Sequence, residues 1–188
     1  MNVYLVRHSR PALEGARCYG RLEAGLPPGW KDQVANLQIR LPADAALVCS
    51  PDLRCRELAE LLALRSGVAP LLDERLLELD FGAWEGIPWA DIPHAESVHW
   101  AKDLWNRSPP GGETYAALYA RVSAAWQSLI RMDTDTVTVI GNAGPLRALL
   151  TIALELPRDA FVRIHLDYAS MTLLSDASGG WRLEFANR

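Results

Sequence analysis

The residues of this chain best suited to chemistry fall in three short runs. Leu5-Val6-Arg7-His8 places an imidazole directly after an apolar, β-branched stretch. A neutral imidazole can attack phosphorus and carry the phosphoryl group as phosphohistidine. An adjacent arginine offers a planar fork of donors that fits phosphate oxygens. Ser50-Pro51-Asp52-Leu53-Arg54-Cys55-Arg56 sets a second guanidinium at the start of a helix, where backbone N–H groups and the helix dipole also favour an anion. Leu77-Glu78-Leu79-Asp80-Phe81-Gly82-Ala83-Trp84-Glu85-Gly86 sets carboxyls among apolar and aromatic neighbours. A carboxyl group there can protonate a leaving alkoxide and later deprotonate water. Glu78 and Asp80 share a face if the segment is a strand, so either can serve. Each run also has an ordinary reading: a surface Arg-His pair, a solvated basic turn, a solvent-facing carboxylate.

The elements that must position these groups follow from hydrophobic patterning. Val3 to Val6, Ala46 to Cys49 and Thr136 to Ile140 read as buried strands, each stopped by a polar turn. Helices are expected over Trp30 to Ile39, Arg54 to Leu64, Glu113 to Met132 and Pro145 to Leu156. Leu58, Leu61 and Leu62 share one face of the second, with Ser50 or Asp52 as its cap. Leu118, Val122, Ala125, Trp126 and Leu129 form a stripe on the third. Ser170 to Leu174 and Trp181 to Phe185 read as closing strands about a Gly179-Gly180 turn. Gly15 to Gly29 reads as a long loop. Phe81 to Pro110 reads as irregular and holds Trp84, Trp89, Trp100 and Trp105. This pattern predicts a three-layer α/β/α sandwich with a mostly parallel central sheet. Ligands of such sheets bind beyond the carboxyl ends of the strands, which here carry Arg7-His8, Ser50 to Arg54, and Asn142.

Composition narrows the function classes. At 188 residues, 49% hydrophobic and 22% charged, the chain fits one globular domain, 1–188, and is too apolar for a disordered one. Its net charge of −4 argues against nucleic-acid and anionic-membrane binding, though it leaves room for a small basic pocket. No apolar run approaches the roughly 18 residues of a membrane span. The N-terminus lacks the features of a signal peptide, and Cys18, Cys49 and Cys55 have no metal-site spacing, so a cytoplasmic protein with free thiols is expected.

Taken in order, these segments resemble the histidine phosphatase superfamily, with its phosphoglycerate mutase-like fold. Arg7-His8-Ser9 is similar to its Arg-His-Gly turn. Ser50-Pro51 with Arg54 is similar to its second element, Glu78 through Gly86 to its carboxylate segment, and Pro110 to Glu113 to its Pro-x-Gly-Glu element. Within the superfamily, Cys18-Tyr19-Gly20-Arg21-Leu22, Arg54-Cys55-Arg56 and Leu79 to Gly86 look like the α-ribazole phosphatase branch, which serves cobalamin biosynthesis. The resemblance implies His8 as nucleophile, Arg7 and Arg54 as phosphoryl clamp, and Glu78 as proton donor and then base for the attacking water. It implies no metal and no cofactor, since arginines supply the charge compensation. The partner it implies is a small-molecule phosphate ester such as α-ribazole 5′-phosphate, with a homodimer among the assemblies open to it. The segment 81–110 would act as a lid, its tryptophans either stacking on an apolar base or packing a loop-rich subdomain.

The sequence also departs from the pattern. Where the family has a second histidine, in a Ser-His-x-Gly-x-x-Arg context, this chain reads Ile140-Gly141-Asn142-Ala143-Gly144-Pro145-Leu146-Arg147. Asn142 can donate one hydrogen bond to a phosphoryl oxygen but carries no charge, an expected cost of about 1–3 kcal/mol in the transition state. His94, His99 and His165 are not placed to replace it. Ser9 stands for the usual glycine and Arg10 for a glutamate, with Arg10 a candidate for restoring positive charge. The leading expectation is a phosphomonoester hydrolase weakened at Asn142. The alternative is a phosphate-binding protein with impaired catalysis. A mutase is disfavoured by the short segment 81–110.

Overall fold

The computed structural model describes residues 1–188. Six strands form one sheet: β1 (Asn2–Arg7), β2 (Ala46–Cys49), β3 (Leu71–Leu72), β4 (Thr136–Gly141), β5 (Met171–Ala177) and β6 (Gly180–Phe185). Their order is β3-β2-β4-β1-β5-β6. The first four run parallel, and β5 and β6 close one side antiparallel. The expected three-layer sandwich is what forms. Alternation along the strands supplies both faces. Val3, Leu5, Val137 and Val139 pack under α5 (Tyr115–Leu129) and α6 (Ala143–Ala153). Val6, Leu47, Cys49 and Ile140 pack on the other side, under α2 (Ala35–Arg40) and α3 (Leu53–Ser66). Such dry burial contributes about 1.5–3 kcal/mol per large aliphatic side chain.

Several boundaries differ from the sequence reading, each for a local reason. The helix expected over Trp30 to Ile39 breaks at Val34 into α1 (Trp30–Gln33) and α2. α5 starts only after Thr114, whose hydroxyl accepts from the Ala117 N–H as an N-cap. α6 starts at Ala143, before Pro145, because proline's missing N–H is no loss in a first turn. The irregular stretch 81–110 contains a short 3-10 turn, Gly82–Trp84, and α4 (His94–Ala101). The two-residue β3 carried no sequence signal. Glu78 to Asp80 is not a strand, so those two carboxylates do not share a strand face. All three cysteines are buried free thiols. No helix is long and apolar enough to cross a membrane.

The register places the chemistry. Arg7 pairs with Gly141 at the carboxyl ends of β1 and β4, and Cys49 pairs with Ile140. The chain leaving each strand stays tied to its neighbour: the His8 N–H reaches the Gly141 carbonyl at 3.3 Å, and the Ser50 N–H the Ile140 carbonyl at 3.0 Å. His8, Ser50 and Asn142 thereby emerge side by side.

Candidate active site

His8 is 1% exposed, yet it lines a cavity of about 470 Å³. Its Nδ1 lies 2.6 Å from the Ser9 carbonyl oxygen. A carbonyl only accepts, so Nδ1 carries the proton and donates it, which leaves the Nε2 lone pair free. Burial, then the nearby Arg54 charge, pulls the imidazole down from its ordinary 6.5 to about 3, despite opposing contributions from the Ser9 bond and Asp52. The ring is therefore neutral at physiological pH, the form a nucleophile needs.

Arg7 stands on the same cavity wall. One terminal nitrogen donates to the Leu166 carbonyl, the guanidinium lies 3.7 Å above the Tyr168 ring, and Nε is buried without a partner. Tyr168 also packs against the His8 ring, and its hydroxyl hydrogen-bonds that of Tyr19. Burial, and next that hydrogen bond, push the Tyr19 phenol well above its ordinary range, so it stays protonated. Both tyrosines line the cavity together with His8.

Glu78 completes the cavity's polar end. Its Oε1 accepts from the Leu79 N–H at 2.8 Å and its Oε2 from the Gly144 N–H at 3.0 Å, in the first turn of α6. Gly144 leaves room for this arrangement, because a Cβ there would overlap Oε1 and push the carboxyl aside. The loop carrying Glu78 is held from below by Arg121 of α5, which donates to the carbonyls of Arg75, Leu77 and Glu78 and pairs with Glu113 at 2.8 Å. Asp80 has other work: it accepts from the Gly82 N–H and faces Arg21. Of the two carboxylates, Glu78 lines the cavity and Asp80 does not.

Arg54 and Asn142 sit beside His8 but are not on the cavity wall. Arg54 is fully buried, and its Nε donates to Asn142 Oδ1 at 2.8 Å. Its terminal nitrogens donate to the carbonyls of Leu22 and Gly20. Asp52 lies 3.3 Å from Nε and accepts from Asn142 Nδ2 at 2.7 Å and from Ser50 Oγ. Burial alone would raise the Asp52 carboxyl; Arg54 first, then the bonds from Ser50 and Asn142, outweigh it and hold it below the usual range. Asn142 Nδ2 also reaches Ser50 Oγ at 3.4 Å, so its amide donates to Asp52 and Ser50 and accepts from Arg54, all within the protein, and Asp52 balances the Arg54 charge internally. Arg10 is exposed against Tyr168 and does not line the cavity.

Phe81, Trp89, Trp100, Leu104, Phe161 and Val162 give the cavity apolar walls, and two further arginines line it: Arg147, and Arg17, whose guanidinium is held on the carbonyls of Glu14 and Gly86. Trp89 stacks on Trp100 at 26° between planes. Trp84 is instead a buried packing residue, with Nε1 donating to Glu96, and Trp105 packs on Tyr115 and Tyr119. Sequence reasoning missed Tyr19, Tyr168, Phe161 and Arg147 as cavity residues. Two of these carried a signal, Arg147 as the arginine ending the Asn142 motif and Tyr19 within the Cys18 to Leu22 run. No group of three or more His, Cys, Asp or Glu side chains gathers as for a metal ion.

A phosphoglycerate mutase-like sandwich with a neutral histidine and an arginine at the end of its first strand defines the class. The sequence matches the histidine phosphatase superfamily (branch 1) over residues 3–188, and the chain belongs to that family. The bifunctional protein Rv2228c of Mycobacterium tuberculosis is 33% identical over 177 residues, covering 90% of this chain and 48% of that protein. The chain thus spans about half the length of the first curated relatives it matches. The mycobacterial glucosyl-3-phosphoglycerate phosphatase Rv2419c, solved with VO3, superposes with a TM-score of 0.86 at 26% identity, over 99% of this chain and 98% of that one. The α-ribazole phosphatase of Shigella flexneri superposes with a TM-score of 0.89 over 100% and 96%; at 21% identity it shows the shared fold.

Proposed function

We propose that this chain is a phosphomonoester hydrolase working through a phosphohistidine at His8. The observation that carries this reading is the fixed tautomer: Nδ1–H held on the Ser9 carbonyl, with Nε2 free in a cavity that also contains Arg7 and Glu78. Nε2 attacks phosphorus and the P–O ester bond breaks. Glu78, in its acid form, gives a proton to the leaving alkoxide. Water then attacks the phosphohistidine, Glu78 takes its proton, the P–N bond breaks, and inorganic phosphate leaves. Arg7 neutralises charge on the phosphoryl oxygens. Arg54 acts from behind, helping to hold His8 neutral, and Asn142 fixes the Arg54 fork.

The aromatic walls support a substrate with a flat or apolar organic half, such as α-ribazole 5′-phosphate; a cobalamin-pathway role in the cytoplasm would follow from that substrate. The 26% identity to glucosyl-3-phosphoglycerate phosphatase supports an acidic sugar ester as the other candidate. Residues 81–110 would serve as the lid over either. A second reading, a phosphate-binding protein with impaired turnover, draws support from the Asp52–Asn142–Arg54 network, which withholds two expected phosphate ligands. Phosphate release should be screened with both esters and an aryl phosphate, for the natural sequence and His8→Ala. Turnover falling at least a thousandfold in His8→Ala is expected; equal rates would overturn the hydrolase reading.

A further inference from the structure

The cavity holds a cation that phosphoryl transfer, as drawn above, does not use. Arg147 lies on α6, one turn beyond the Asn142–Gly144 corner, and lines the same cavity as His8, Arg7 and Glu78. It forms no salt bridge and donates no side-chain hydrogen bond, and its Nε is buried without a partner. Buried donors without acceptors are rare in native proteins and call for a reason. Of the six such side-chain atoms in this chain, three belong to residues of this one cavity: Arg7 Nε, Arg147 Nε and Trp100 Nε1. Arg7 already has a role in that reading, on the scissile phosphate. The other two are not.

Glu78 is the carboxylate whose charge acts on Arg147, but it forms no salt bridge or hydrogen bond with it, and its oxygens accept from the N–H groups of Leu79 and Gly144 instead. Burial lowers the Arg147 guanidinium from its ordinary value, and Glu78 only partly offsets this. A planar fork with free donors, partly desolvated and unpaired, is suited to bidentate capture of a carboxylate or phosphate. Its surroundings define the rest of the ligand. The 3-10 turn Arg158–Arg163 packs on α6 and brings Phe161, stacked on Tyr115, and Val162 to the wall. The Trp89–Trp100 pair stands on the same cavity.

We propose that Arg147 binds a second anionic group, carried on the organic half of the phosphate ester, while the scissile phosphate lies against His8 and Arg7. This rests on the phosphate-ester reading of the cavity. It assigns the substrate to esters with a carboxylate or second phosphate beside an apolar or ring-stacking body. An ester with a neutral organic half, α-ribazole 5′-phosphate included, leaves the Arg147 fork empty and binds less well.

Two near-isosteric probes separate the terms. 3-Phosphoglycerate has a carboxylate where glycerol 3-phosphate has a hydroxymethyl group. Titration calorimetry in a His8→Ala background, which prevents turnover, reads the ratio of their affinities. The expected ratio is at least tenfold in favour of 3-phosphoglycerate. It should fall below threefold with Arg147→Met and keep an intermediate value with Arg147→Lys, which retains charge without the fork. A ratio below threefold with Arg147 in place overturns the proposal, whether or not the Met variant folds. So does Arg147→Met weakening both ligands alike, since Arg147 would then serve the scissile phosphate. The hydrolase reading fails separately: a protein with the full ratio that never forms phosphohistidine defeats that reading alone, and phosphohistidine without the ratio defeats this one alone.

Discussion

Replacing Gly144 by alanine tests whether the orientation of one carboxylate governs turnover. Gly144 has no positive φ, so the backbone accepts alanine, which is favoured in a helix over glycine by about 0.5–1 kcal/mol. The added Cβ meets Glu78 Oε1, the far end of a flexible side chain, and Leu118 at ordinary contact distance. Glu78 must swing away and lose the Gly144 N–H bond to Oε2, about 1.5–3 kcal/mol for a bond to a charged group. The net loss of stability is at most about 2.5 kcal/mol, or about 5–10 °C in Tm for a chain of this size. The effect on catalysis is larger, because a positioned acid–base group contributes about 10²–10⁴-fold. The assay compares an alkyl phosphate with p-nitrophenyl phosphate in rapid mixing. The alkyl ester needs a proton on its leaving oxygen, so its turnover should fall by that full factor. Nitrophenolate leaves without one, so a burst of nitrophenol should precede slow hydrolysis of the phosphoenzyme. A folded Gly144→Ala protein that turns over the alkyl ester within threefold of the natural rate would refute the role given to Glu78.

Two further substitutions probe the neighbouring charges. Asn142→His keeps an N–H for Asp52, and that carboxylate favours a protonated ring against the opposing effects of burial and Arg54, so a gain of about 1–2 kcal/mol in the transition state predicts kcat higher by about 5–30-fold. The loss of the Arg54 Nε acceptor should lower Tm in the same protein. Steady-state kinetics with thermal unfolding check both, and a folded variant that is no faster contradicts the reasoning. His8, held near 3 when folded, refuses a proton that the unfolded chain takes below about 6.5. Its share of stability is therefore full above pH 6.5 and is lost as pH falls toward 3, by at most about 1.4 kcal/mol per unit. Urea unfolding across pH 4–7 should show a shallower slope for His8→Gln; identical slopes would contradict a neutral buried ring.

The strand ends were legible because an apolar run followed by Arg7-His8, Ser50 or Asn142 can be read locally. Glu78 was harder, since its segment is irregular and its orientation depends on Gly144 and Arg121, distant in sequence. The saturation of Arg54 was not legible at all: its partners include the carbonyls of Gly20 and Leu22, and any residue type supplies a carbonyl. Tyr19, Phe161 and Tyr168 come from separate segments with no shared spacing, and only the tertiary fold brings them to one cavity. The tryptophans divided for the same reason. Trp84 and Trp105 pack the scaffold, while Trp89 and Trp100 face the cavity.

The central claim is covalent, and quenched-flow mass spectrometry tests it most directly. After milliseconds with a phosphate ester, the peptide containing Arg7-His8 should gain one phosphoryl group, stable in base and lost in acid, and His8→Ala should gain none. A protein that releases phosphate while position 8 stays unmodified, or that carries the phosphoryl group elsewhere, would contradict the account.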